Sequence, residues 1–142
     1  MSSVFALATP ATKSALCVFR VSGFGCLDVF GSIFNKKLDE PRKFYQRSLV
    51  SDGVVIDKVG VVFFRGPSSY TGEDSFEIYA HGGLAVMASI VDLFKSVGFD
   101  EAGPGEFTKR AFINGKLSLS EAESVVDVIN ASSKDVLEVS LN

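Results

Sequence analysis

An α+β fold, with a mixed sheet and helices packed on it, is what this 142-residue sequence predicts. Three observations carry that expectation. Apolar runs of strand length, Ala15–Val21 and Val59–Phe64, fall in the first half, which reads mainly as strands. After His81-Gly82-Gly83, Leu84, Met87, Ile90/Val91, Phe94 and Val97 recur at the spacing of one helix face. From Glu106 onward the pattern is helical.

Val4–Leu7 is the first short strand, closed by Thr9-Pro10. Ala15–Val21 ends at Ser22-Gly23 and has the near-continuous apolarity of a strand buried on both faces. Phe24, Leu27, Phe30 and Ile33/Phe34 are helically spaced, so a helix is expected over roughly Phe24–Phe34, with Asn35 and Lys36-Lys37 at its C-terminus. Lys43 to Phe64 reads as two strands joined at Asp52-Gly53, a pair that accepts the positive φ values of a type I′ hairpin turn. Arg65–Asp74 is a loop, and Ser75–Ala80 a strand with clear alternation. The helix after Gly83 ends at Gly98. Gly103-Pro104-Gly105 precedes a short helix, Glu106–Ile113. A further helix carries Leu119, Ala122, Val125/Val126 and Ile129, started by a capping box of Ser120 with Glu123 or, in the other register, Ser118 with Glu121. Ser132–Asn142 begins one more amphipathic piece, whose apolar stripe finds no partner in the chain.

Composition narrows the function classes. Apolar residues make up 46% and charged residues 22%, as in a soluble globular domain. Thirteen Phe and no Trp predict a Phe-dominated core. A net charge of −3 argues against a domain that lives on nucleic-acid phosphates. Cys17 and Cys26 fit neither a metal site nor a disulfide scaffold and read as buried thiols. Neither a signal peptide nor an apolar stretch of bilayer length is present, so the expected place is the cytoplasm, with no membrane partner.

Several polar residues stand in apolar settings. Arg20 ends an apolar strand, where a guanidinium needs a carboxylate or a ligand anion unless it lies past the sheet edge. Ser75, Glu77 and Tyr79 share the face of their strand opposite Phe76, Ile78 and Ala80. That face is either half exposed or lines a pocket, where the Glu77 carboxylate would offer two acceptors to adjacent N–H donors. Lys116, after Asn114-Gly115, is a surface lysine or a mobile cation for an anionic tail. His81-Gly82-Gly83 lacks the glycine spacing of a dinucleotide loop or a P-loop and reads first as close strand-to-helix packing. The five basic residues from Lys36 to Arg47 are interspersed with Asp39 and Glu40, as on a solvated edge, with RNA contact as the second reading. No nucleophile and base pair up into a catalytic set, which favours a binding domain over a complete enzyme.

Five blocks carry a resemblance. They are ALATP at Ala6–Pro10, FRVSG at Phe19–Gly23, RGPSSYTGED at Arg65–Asp74, EIYAHGG at Glu77–Gly83, and GPGEFTKRAFINGKL at Gly103–Leu117 with the SEAE that follows. In this order, over nearly the whole chain, they resemble the N-terminal domain of the tRNA modification GTPase family MnmE, also called TrmE. The resemblance implies a fold similar to the folate-binding domain of glycine-cleavage aminomethyltransferase, over residues 1–117, with 118–142 opening a helical domain. It implies a reduced folate such as 5-formyltetrahydrofolate as ligand, with Arg20, Glu77 and Lys116 at the family's folate-contact positions. It also implies a homodimer, a flavin-dependent partner enzyme, and tRNA modified at the wobble uridine by the full complex. On this resemblance, GTP, Mg and K are expected to belong to a GTPase domain of the full-length family member, outside these 142 residues. The chain departs from the family at Ala11–Cys17, which has no glycine, at Ala80 in place of Gly, and at Ser118 in place of Asp. A folate-independent dimerisation module and a stand-alone folate-dependent aminomethyltransferase-like protein are the alternatives.

Overall fold

The computed structural model describes residues 2–129. The expected piece at Ser132–Asn142 lies outside them. Six strands form one mixed sheet in the order β3-β4-β5-β2-β1-β6. They are β1 (Val4–Leu7), β2 (Leu16–Ser22), β3 (Tyr45–Ser51), β4 (Val54–Phe64), β5 (Ser75–His81) and β6 (Asp100–Glu101). Neighbours run antiparallel except β1 and β6, which are parallel. The hairpin between β3 and β4 turns at Asp52 (φ 49°) and Gly53 (φ 77°), as the Asp-Gly pair predicts.

One face of the sheet is the core. Phe5 of β1, Cys17, Phe19 and Val21 of β2, Val61 and Phe63 of β4, and Phe76 and Ile78 of β5 are buried there. Helix α2 (Leu84–Ser96) covers them with Met87, Ile90, Leu93 and Phe94. Leu84 at the first turn is exposed, whereas Leu93, outside the expected stripe, is buried. Phenylalanine rings meet edge-on or tilted through this layer. Phe76 touches Phe30 (5.0 Å between centroids), Phe94 (6.1 Å) and Phe99 (6.3 Å), and Phe94 touches Phe5 and Phe19. Each such pair adds roughly 0.5–1.5 kcal/mol beyond area burial.

Two sequence expectations are corrected here. β2 is buried on one face only: Leu16 and Arg20 of the other face are exposed. Its apolar run was continuous because Leu16 and Val18 are apolar on the open side. The helix expected over Phe24–Phe34 is a 3-10 turn, Cys26–Val29, leading into one turn of α-helix, α1 (Phe30–Ile33). Gly25 (φ 89°) starts it, Gly31 lies inside it, and Phe24 is left exposed, so low helix propensity outweighs the apolar spacing. Helix α3 (Glu106–Ile113) has the predicted bounds, bracketed by Gly105 (φ 72°) and Gly115 (φ 74°). Residues 119–129 are helical, and the capping box uses the second register. Ser118 N–H donates to Glu121 Oε1 at 3.0 Å, and Glu121 N–H to Ser118 Oγ at 3.1 Å. β6 had no counterpart in the sequence pattern.

Candidate ligand cleft

The sheet's open face carries a cleft of 540 Å³ at the end nearest the Arg65–Asp74 loop. Its centre is set by strand register. β2 and β5 pair so that Arg20 lies directly opposite Glu77, and Arg20 Nε donates to Glu77 Oε1 at 3.1 Å. Tyr79, two residues along β5 on the same face, donates its hydroxyl to Glu77 Oε2. Burial, with this hydrogen bond second, pushes the Tyr79 phenol up to about 12. A part-exposed cross-strand ion pair contributes only about 0.2–1 kcal/mol. Its larger effect is orientation: both Glu77 oxygens are aimed, while about half of their lone-pair positions remain for a ligand.

The loop and α3 form the wall, and a buried polar network joins them. Glu73 is fully buried and Arg110 is 2% exposed. Arg110 Nη1 donates to both Glu73 oxygens at 3.2 Å, and Nη2 to the Ser2 carbonyl at 2.8 Å and Glu106 Oε1 at 3.2 Å. Ser22, at the end of β2, donates to Glu73 Oε1 at 2.9 Å and shares a 2.7 Å hydrogen bond with Thr71. Ser22 and Thr71 both line the cleft, so its floor is tied to α3. α3 also brings Phe107 to the wall, and Thr108 shares a 3.0 Å hydrogen bond with the Tyr70 hydroxyl.

Lys116 is placed by the turn that ends α3. Its N–H donates to the Ala111 carbonyl at 2.8 Å, and the Asn114 side-chain amide donates to the Thr71 carbonyl at 2.9 Å. Its stem passes over Gly72, where a Cβ would sit 3.2 Å from Lys116 Cγ and 2.9 Å from Asn114 Cβ. Gly72 also has φ 80°, so both the backbone and the close approach require glycine.

All three residues nominated from sequence, Arg20, Glu77 and Lys116, therefore line one cleft. Sequence reasoning missed Arg42, Tyr70 and Phe107, which line it too, and the Glu73–Arg110 pair beneath. Tyr70 and Phe107 stood inside the quoted blocks, whereas Arg42 was absorbed into the basic stretch from Lys36 to Arg47. A second lobe of 460 Å³ shares Arg20, Tyr70, Glu77 and Phe107 and is completed by Gly105, Thr108, Val125 and Ile129. His81-Gly82-Gly83 lines neither lobe. Gly82 instead approaches the Ser14 backbone, accepting its N–H at 3.0 Å, and His81 Nδ1 shares a 2.8 Å hydrogen bond with Asp57. Both cysteines are buried free thiols. Among the described residues there is no group of acidic, histidine and cysteine side chains able to hold a metal, and no helix long and apolar enough to cross a membrane.

Fold and site together define an α+β domain with a charged, aromatic-walled cleft on the open face of its sheet. The chain belongs to the family described as the GTP-binding protein TrmE N-terminus, whose model matches residues 3–116. It is 43% identical over 139 residues to the tRNA modification GTPase MnmE of Pseudothermotoga lettingae, covering 96% of this chain and 31% of that protein. The MnmE of Thermotoga maritima is 42% identical over 142 residues, covering 99% of this chain and 32% of the relative. The MnmE of Gluconacetobacter diazotrophicus is 41% identical over 136 residues, covering 92% and 31%. The chain thus spans about a third of the length of the curated relatives it matches.

Proposed function

We propose that this chain is the reduced-folate-binding and dimerisation region of a tRNA modification GTPase that acts on the wobble uridine. On this reading residues 1–117 have the folate-binding fold of glycine-cleavage aminomethyltransferase, and 118–142 open a helical domain. The observation that carries the reading is the convergence of Arg20, Glu77 and Lys116 on one 540 Å³ cleft. The chemistry suits a folate. A pterin edge presents adjacent N–H donors, which the free lone pairs of Glu77 can accept. The rings of Tyr70 and Phe107 offer faces for a planar heterocycle, and Lys116 offers a cation to the glutamate tail. The folate would supply a one-carbon unit to uridine chemistry performed with a flavin-dependent partner enzyme in the cytoplasm. GTP, Mg and K would be held by the remainder of the longer protein, and this region would not be catalytic alone.

Isothermal titration with 5-formyltetrahydrofolate tests the ligand, and sedimentation velocity tests the homodimer. Binding that Glu77→Ala weakens at least about tenfold supports the site, since a lost charge-assisted hydrogen bond is worth that much. No heat from the wild-type chain, or an unaffected Glu77→Ala variant, sinks it. A dimer that ignores folate would favour the folate-independent module.

A further inference from the structure

The cleft holds more positive charge than its own carboxylate neutralises. Arg20, Arg42 and Lys116 line it against Glu77. Glu77 is already paired with Arg20 at 3.1 Å. Among the described residues neither Arg42 nor Lys116 makes an ion pair. Two unneutralised cations thus share one concavity in a chain whose net charge is −3. A concave, low-dielectric wall concentrates the field of such charges on whatever enters.

Their placement has separate structural causes. Lys116 comes from the turn after α3, held through Asn114 and Gly72. Arg42 comes from the approach to β3, after Pro41, and its N–H donates to the Phe63 carbonyl of β4 at 2.8 Å. At φ 64° its backbone is left-handed, a conformation that suits Gly or Asn and disfavours a long side chain. The turn alone would be served better by Gly or Asn, so an arginine there answers to its side chain, whose place is the cleft. Neither cation lines the neighbouring 460 Å³ lobe, which Val125 and Ile129 help close. The free positive charge is therefore confined to one end of the combined space.

We infer that Arg42 is a specificity-determining residue of this cleft, and that it and Lys116 together receive a ligand end bearing two carboxylates. The glutamate end of a folate is such a group, and to that extent the inference rests on the folate reading above. A ligand end with one carboxylate would need Lys116 alone.

The test compares 5-formyltetrahydrofolate with 5-formyltetrahydropteroate, the same compound without its glutamate, by titration into the 142-residue chain and its Arg42→Asn and Arg42→Lys variants. Asparagine is at ease in left-handed backbone, so Arg42→Asn keeps the fold, with circular dichroism as the control. The wild type is expected to prefer the folate by at least about tenfold, the effect of one desolvated charge-assisted contact. Arg42→Asn should lose about tenfold on the folate and less than about twofold on the pteroate, and Arg42→Lys should recover most of the loss. Equal weakening of both compounds, or of neither, overturns the role of Arg42 while leaving folate binding intact. Failure of 5-formyltetrahydrofolate to bind the wild type overturns the folate reading and this inference with it.

Discussion

Arg110 reaches Glu73 with one nitrogen, Nη1, which donates to both carboxylate oxygens at 3.2 Å inside a site closed to solvent. The pair connects α3 to the loop ahead of β5, the two elements that wall the cleft. Removing Glu73 leaves the buried Arg110 guanidinium with only the part-exposed Glu106 carboxylate opposite it. Glu73→Ala should therefore cost about 3–5 kcal/mol, read from urea unfolding. The double variant Glu73→Leu/Arg110→Met should be substantially more stable than Glu73→Ala, because no charge is stranded. A double variant as unstable as the single would show that the pair's stabilisation is not electrostatic.

Gly72→Ala attacks the cleft from the loop side. Left-handed backbone at φ 80° costs a side chain roughly 1–2 kcal/mol, and the new Cβ would crowd Asn114 and Lys116. Stability should fall by at least that much in thermal unfolding. Amide resonances of Lys116 and Asn114 should shift more than those of β3, on the far edge of the sheet. Undisturbed resonances at residues 114–116 would contradict the contact.

Much of the fold was legible, for local reasons. Asp52-Gly53 announced its hairpin, and Gly105 and Gly115 bounded α3, because positive φ is written in residue type. Glu77 and Tyr79 could be placed on one face because a strand alternates. What stayed hidden depends on pairing or on φ. That Arg20 faces Glu77 requires β2 to lie beside β5, a choice among strand orders that no local pattern makes. That Arg110 meets Glu73 likewise depends on how α3 packs against the loop ahead of β5. Ser118 and Ser120 each offer a capping box, and the helix uses the Ser118 one. Arg42 was invisible as a cleft residue because nothing in an arginine codon position signals a left-handed backbone.

Cys26 offers a pH test of the core. Burial, then the nearby Asp74 carboxylate, pushes its thiol up to about 12. At pH 8 its thiolate fraction is on the order of a thousandfold below that of an exposed cysteine, so iodoacetamide should label it only through unfolding. The sign for stability follows. The folded state keeps the proton that the unfolded state releases near pH 9, so the contribution is complete below pH 9 and is lost as the pH climbs toward 12. Labelling of Cys26 at pH 8 faster than global unfolding would refute its burial.

Ser118 and Glu121 make the opposite titration. Hydrogen bonds from the Ser118 backbone and side chain hold the Glu121 carboxyl below its ordinary 4.5. The capping box is therefore intact above that value and weakens as the pH falls through the lowered folded value. Helical circular dichroism should show an acid loss in this range. The loss should vanish in Glu121→Gln, whose side chain can still bond the Ser118 N–H but no longer titrates. An identical acid profile in that variant would assign the loss to other carboxylates.

The placement of the tyrosines makes the cleft self-reporting. The chain has three tyrosines and no tryptophan. Tyr70 lines the cleft and Tyr79 bonds its central carboxylate, while Tyr45 lies on the edge strand with the Arg47 guanidinium over its ring. Two of the three native fluorophores are thus in contact with the site or its Glu77, and no indole masks their emission. Unlabelled protein can therefore report occupancy directly: Tyr79 is hydrogen-bonded to Glu77, and Tyr79→Phe leaves Tyr70 as the tyrosine at the cleft, read against the distant Tyr45.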